Sequence, residues 1–267
     1  MGKVTKKTQI EGCEMKKLSS FIIALVMSYT IVGTAFAGEG NTSIQSLNKA
    51  KKILIKKIYR AHQTTFYCGC RYSQGKVITD TNGYVPKYKR WRRAHRLEWE
   101  QIVPVHDFGQ SFAEWREGHP ECVDSKGEPF KERNCARKVS IKFRYMESDM
   151  YNLVPAVGEI NALRSNYSFG SIPGERREFG ECDMEIKNRK AEPPPNVRGD
   201  IARIYFYMNW AYPEHVIISN KNQRLFKAWD KSDPVDAWEC ERCKRIEQIQ
   251  GNDNPFVKGI CVNSGMW

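Results

Sequence analysis

Beyond its first forty residues the chain has no uninterrupted apolar run of about 18 residues, the length a membrane-crossing helix needs, so its body is not an integral membrane domain. It has no internal repeat, and its one rigid break, Pro193-Pro194-Pro195, is too short to be a linker, which argues for one domain. Helix-turn-helix, zinc-finger and RRM signatures are missing, so base-specific readout is not expected. Acidic residues are in deficit: 31 Asp+Glu face 43 Lys+Arg, a formal charge of +12. That excess points to an anionic partner, nucleic acid or a membrane surface, and says nothing about fold. What the chain does have is apolar mass: 40% of its 267 residues are hydrophobic and 12% aromatic, enough to bury a core and to exclude wholesale disorder.

Residues 1–37 read as an export signal. Met15-Lys16-Lys17 opens a positive region, Phe21 to Gly33 is a short apolar stretch, and Ala35-Phe36-Ala37 is a small-x-small cleavage site. Met15 is an alternative start. Without this segment the formal charge is +9, because five bases and two acids leave with it. Cys13 leaves too, and the remaining Cys68, Cys70, Cys122, Cys135, Cys182, Cys240, Cys243 and Cys261 form an even set. An even set in an exported chain predicts disulfides, up to four, with connectivity open. Zinc at the close pairs Cys68-x-Cys70 and Cys240-x-x-Cys243, or a redox C-x-x-C, are the alternatives.

Along the mature chain, residues 42–64 read as a basic amphipathic surface helix. Thr64-Thr65-Phe66-Tyr67, Lys76-Val77-Ile78-Thr79 and Arg96 to Glu100 read as short strands, and residues 109–140 as a long irregular loop. Helices are expected over Asn152 to Arg164 after Pro155, over Val197 to Trp210 as an amphipathic helix, and around Asn220 to Lys231.

Two segments carry chemistry. In Glu98-Trp99-Glu100-Gln101 a strand would place both carboxylates on one face, suited to a hard divalent cation meeting a phosphate; strand carboxylates also simply face solvent. Met146 to Asn166 gathers carboxylates, amides and an arginine, and a helix over Gly158 to Asn166 would put Asn161 and Arg164 on one side, with a capped helix end as the plainer reading. Upstream, Lys87, Lys89, Arg90, Arg92, Arg93 and Arg96 interleave with Tyr88 and Trp91, a pattern suited to tracking phosphates and stacking on unpaired bases, or to solubility alone.

Phe66-Tyr67-Cys68-Gly69-Cys70, Arg96-x-Glu98-Trp99-Glu100-x-Ile102-Val103-Pro104, Met146-Glu147-Ser148-Asp149, Asn152-Leu153-x-Pro155, Gly158-Glu159-Ile160-Asn161, Arg198 to Met208, Phe226-x-Ala228-Trp229 and Trp238-Glu239-Cys240-Glu241 together resemble the bacterial endonuclease I family, in order over most of residues 42–261. The resemblance implies an α+β fold with a ββα-metal (His-Me finger) core, stapled by disulfides, acting as a periplasmic or secreted monomer on double- and single-stranded DNA, and RNA, through phosphates and without sequence preference. It implies one Mg²⁺, replaceable by Mn²⁺ or Ca²⁺, on Glu100 and Asn161. Arg133 would contact the phosphate, Glu147 would support the site, Arg164 and the basic segment would hold nucleic acid, and products would carry a 5′ phosphate.

The chain departs from that family where it has Gln101, since the family usually places a general-base histidine there. An amide can orient water but cannot take its proton. Tyr151 stands where many relatives have His, and Ala162-Leu163 replaces the usual Gly-Asp or Gly-Leu. Either Gln101 positions water while hydroxide, the phosphate, His95 or His106 takes the proton, or the histidine was deliberately replaced, or the chain binds nucleic acid without cutting it. That non-cutting binder is the reading from another class, and a disulfide-stapled adhesion or membrane-surface module is a third.

Overall fold

The computed structural model describes residues 38–174 and 176–267; the expected export signal and Cys13 lie outside them. Their elements run α1 (Leu47–Ile53), β1 (Arg71–Tyr72), β2 (Ile78–Asp80), β3 (Leu97–Gln101), α2 (Val105–Gly109), α3 (Ala113–Arg116), α4 (Glu132–Val139), α5 (Ile141–Glu147), β4 (Leu153–Val157) and α6 (Gly158–Arg164). There follow β5 (Ser168–Phe169), β6 (Glu185–Lys187), β7 (Lys190–Glu192), α7 (Arg198–Ala211), α8 (Asn220–Ser232), α9 (Ala237–Gln250) and α10 (Pro255–Asn263). The class is α+β, as expected. No helix among the described residues is long and apolar enough to cross a membrane.

β3 and β4 pair antiparallel, Leu97 opposite Val157 through Gln101 opposite Leu153, and α6 starts directly after β4. This ββα unit is the centre of the fold, and residues 102–152 are an insertion between its strands. β4 is buried along its whole length. That corrects the expected helix over Asn152 to Arg164: Leu153-Val154-Pro155-Ala156-Val157 is an apolar run short enough to be a buried strand, and only the segment from Gly158 is helical. Pro155 lies opposite Trp99 in a two-stranded sheet, where a residue lacking an N–H is tolerated because its nitrogen and carbonyl turn to the outer edge, the carbonyl accepting from Phe66 N at 2.7 Å.

The N-terminal helix is shorter than expected. α1 ends at Ile53 and passes into a π-helical turn over Leu54–Ile58. The 109–140 segment contains α3 and α4, with Cys122 bonded to Cys135 inside it. α7 is buried nearly all round, including Ile201, Ile204 and Tyr207, so it is a core helix rather than an amphipathic one. α9 and α10, not anticipated from the sequence, are joined by Cys240–Cys261.

Two further corrections concern sulfur. The described residues hold three disulfides, Cys68–Cys182, Cys122–Cys135 and Cys240–Cys261, while Cys70 and Cys243 are buried thiols. Burial pushes the Cys70 thiol up to about 11, and its Sγ donates to the carbonyl of Thr81 at 3.1 Å; burial likewise raises Cys243. Each close pair thus has one cysteine in a disulfide, so neither keeps two thiolates for zinc.

Candidate active site

Strand alternation turns Glu98 and Glu100 of β3 toward one cavity of about 1300 Å³, which Gln101, Arg133 and Asn161 also line. The two carboxylates have different surroundings. Glu98 is half-buried and accepts from Arg93, from Arg96 at 2.8 Å and from the Asn161 Nδ2 at 3.0 Å. Glu100 is 1% exposed. Its Oε1 accepts from Arg164 Nη1 at 2.9 Å, whereas its Oε2 is buried without a hydrogen-bond partner. Burial, opposed by the Arg164 charge, pushes the Glu100 carboxyl up to about 7. The Tyr67 hydroxyl beside it is raised too, by its own burial and then by the Glu100 charge.

Arg164 is therefore not a nucleic-acid contact. It is 1% exposed, its Nη1 also donates to the carbonyl of Gln101 at 2.9 Å and its Nη2 to that of Ile102 at 2.7 Å, and its guanidinium lies 4.5 Å from the centroid of the Phe169 ring. It is the internal cation behind Glu100. Asn161, three residues earlier on α6, reaches the cavity instead.

Gln101 uses both ends of its amide on the protein: Nε2 donates to the carbonyl of Glu147 at 3.1 Å, and Oε1 accepts from Arg133 Nη2 at 3.3 Å. Glu147, buried at the end of α5, accepts from Arg133 Nε at 2.5 Å and from Arg137 Nη2 at 2.6 Å. Burial works against its charge, but the bonds from Arg137 and Arg133 hold its carboxyl below the usual range. Arg133 is thus anchored at Nε and Gln101-bound at Nη2, while its side chain remains 37% exposed. Tyr151, by contrast, is a core residue whose hydroxyl donates to the carbonyl of Asn252 at 2.9 Å.

The basic segment divides. Arg92, Arg93, His95 and Arg96 line the cavity, Lys89 and Arg90 are exposed beyond it, and Lys87 pairs on the surface with Glu178 at 2.9 Å. His95 Nε2 donates to the carbonyl of Lys89 at 2.8 Å, a contact that leaves Nδ1 as the accepting nitrogen. His106 also lines the cavity and is exposed.

Two cavity cations escaped the sequence reading, Lys51 of α1 and Lys76. Burial lowers the Lys51 ammonium, and the charges of Arg133 and Lys76 lower it further. The available signal was periodicity: Lys51 follows Leu47 by four residues and precedes Leu54 by three, so it lies on the helix's apolar side.

A divalent cation fits this donor set. A buried carboxylate oxygen without a partner would be stabilised by a cation, and the Asn161 amide, whose nitrogen is taken by Glu98, keeps an oxygen that could serve as a second ligand. One carboxylate and one amide leave the remaining positions to water and phosphate oxygens, the hydration Mg²⁺ prefers.

Comparison with known proteins agrees with the fold. The family profile described as Endonuclease I matches residues 41–261. A periplasmic deoxyribonuclease of Aeromonas hydrophila is 40% identical over 224 residues, covering 81% of this chain and 87% of its own length. An extracellular deoxyribonuclease of the same organism is 36% identical over 253 residues, covering 92% and 99%. Endonuclease-1 of Buchnera aphidicola is 40% identical over 226 residues, covering 82% and 83%. With the profile spanning the ββα unit, the cavity and all three disulfides, the chain belongs to the endonuclease I family and is an endonuclease.

Proposed function

We propose that this endonuclease, a periplasmic or secreted protein like the relatives it matches, hydrolyses DNA, single- or double-stranded, and RNA, as a monomer, with Mg²⁺ and without sequence preference, leaving 5′-phosphates. The observation that carries the reading is the half-satisfied Glu100 carboxylate, buried at the floor of a cavity with a basic rim.

Glu100 Oε2 and the Asn161 amide oxygen would hold one Mg²⁺, with Mn²⁺ or Ca²⁺ as substitutes. When bound, the ion would neutralise charge on the scissile phosphate and stabilise the leaving 3′ oxygen. Arg164 keeps Glu100 in place and balances its charge when no ion is there. Arg133, braced by Glu147, offers its exposed guanidinium edge to a phosphate oxygen, in the charge-assisted geometry that arginine suits. Lys51, Lys76 and Arg92 line the walls along which the flanking backbone would run, and Lys89 and Arg90 extend that track. Contacts to phosphates alone give little sequence preference and an affinity that falls steeply with salt.

Gln101 does not supply a base, because an amide has no basic nitrogen and both of its ends are bonded within the protein. The attacking water would lose its proton to solvent hydroxide, to the phosphate, or to Nδ1 of His95, whose tautomer the Lys89 carbonyl fixes.

Incubation of the oxidised mature chain with supercoiled plasmid, in Mg²⁺ and in EDTA, tests the reading. Nicking in Mg²⁺ alone is expected. Retardation of the plasmid without nicking at any metal concentration would make the chain a nucleic-acid binder instead.

A further inference from the structure

An asparagine can offer a cation only one end of its amide, and nothing within the side chain decides which end faces the ion. In this structure the choice is made by Glu98. A carboxylate accepts and never donates, so the Asn161 atom 3.0 Å from Glu98 Oε2 is the Nδ2 nitrogen, and the carbonyl oxygen is the opposite end.

The backbone is shaped for this contact. Glu98 runs beside the first residue of α6, and a Cβ on Gly158 would stand 2.9 Å from Glu98 Cδ and 2.7 Å from the carbonyl oxygen of Arg93. A side chain at position 158 would therefore displace Glu98 from Asn161, one helical turn further on. Glu98 is itself held: Arg93 grips both carboxylate oxygens, Nε donating to Oε1 at 2.9 Å and Nη2 to Oε2 at 2.5 Å, and Arg96 Nη2 adds a bond to Oε1 at 2.8 Å, which fixes the carboxylate plane so that Oε2 also accepts from Asn161.

We infer that Glu98 is a positioning residue for the metal site: it locks the Asn161 amide with its oxygen toward the cation, and Arg93 and Arg96 serve to hold Glu98 rather than to hold nucleic acid. The inference rests on the reading of Glu100 and Asn161 as ligands. It assigns to the first carboxylate of Glu98-Trp99-Glu100 a role distinct from that of the second.

The test is Mn²⁺ binding in the absence of substrate, followed by titration calorimetry and by loss of the free-ion electron paramagnetic resonance signal. Wild type is compared with Glu98→Gln, Glu98→Asp, Asn161→Ala, Glu100→Ala and the Glu98→Gln/Asn161→Ala double variant. Glu98→Gln is expected to weaken Mn²⁺ about 10- to 100-fold, the range typical of a partner that orients a ligand. Glu98→Asp keeps the charge but is one methylene short of Asn161, and it is expected to weaken binding as well. In the Asn161→Ala background, Glu98→Gln is expected to change nothing further. Full affinity in Glu98→Asp, or an equal loss from Glu98→Gln with and without Asn161, would show that Glu98 acts by charge alone and overturn the inference. Unchanged Mn²⁺ binding in both Asn161→Ala and Glu100→Ala would instead remove the ligand assignment, and the role of Glu98 with it. Urea midpoints of each variant separate loss of the site from loss of the fold.

Discussion

Arg164 Nη1 lies 2.9 Å from Glu100 Oε1, and both side chains are 1% exposed. This pair joins the end of α6 to β3 through the middle of the ββα unit, and it uses one carboxylate oxygen while the other is buried without a hydrogen-bond partner. Removing the cation alone would leave the buried Glu100 carboxyl and the carbonyls of Gln101 and Ile102 without their donor. Arg164→Met is therefore expected to destabilise the chain by about 3–5 kcal/mol. Adding Glu100→Leu is expected to recover part of that loss, because no buried carboxyl is then left without its donor. Urea unfolding of the two single variants and the double variant measures the coupling, and strict additivity would contradict the pairing.

The Glu100 carboxyl, pushed up to about 7 by burial, gives the metal-free protein a pH dependence of defined sign. The unfolded chain loses this proton near the usual value of about 4.3, while the folded chain keeps it to about 7. Within that window the folded state binds more protons, so this group's contribution to stability falls as pH rises and is flat on either side. A cation needs the carboxylate, so Mn²⁺ affinity is expected to rise about tenfold per pH unit below 7 and level off above it. Glu100→Gln should flatten the stability component between pH 4.3 and 7, which thermal melts in EDTA can follow.

Gln101→His is expected to raise the cleavage rate on the order of 10²–10⁴-fold. The Gln101 nitrogen already donates to the Glu147 carbonyl at 3.1 Å, and an imidazole N–H making that bond would leave its other nitrogen as the base. The rate would gain a limb that rises through about pH 6.5, the ordinary imidazole value. An unchanged initial rate of plasmid nicking would mean that position 101 is not where water is activated.

Arg133 and Arg137 share Glu147 but differ at the cavity, which only Arg133 lines. Arg133→Ala should lower kcat by about 10²-fold or more, the loss expected on removing a positioned donor to the reacting phosphate. Arg137→Ala should act mainly by loosening Glu147 and cost less. Single-turnover rates on a short duplex, with affinity measured separately in Ca²⁺, resolve the two.

The strand carrying Glu98 and Glu100, the α+β class and the family were legible in the sequence, because the chemistry-bearing residues of β3 and α6 are local motifs whose spacing survives without a fold. Period-two alternation was enough to put both carboxylates on one face. It could not say that Glu100 would be buried on Arg164 and Glu98 would not, since that depends on how α6 packs across β3. The same packing moved Arg164 from an expected phosphate contact to an internal counter-charge, and made a strand of Leu153–Val157, whose apolar run has no period to separate strand from helix. Charge counting found the basic segment but missed Lys51, which reaches the cavity from a helix more than thirty residues upstream. Composition alone determined that the chain could bury a core and would seek an anion. Which cysteines pair, which arginines face outward and which end of Asn161 is turned to Glu98 were decided by tertiary contacts, because each depends on a partner distant in the chain and near only in the fold.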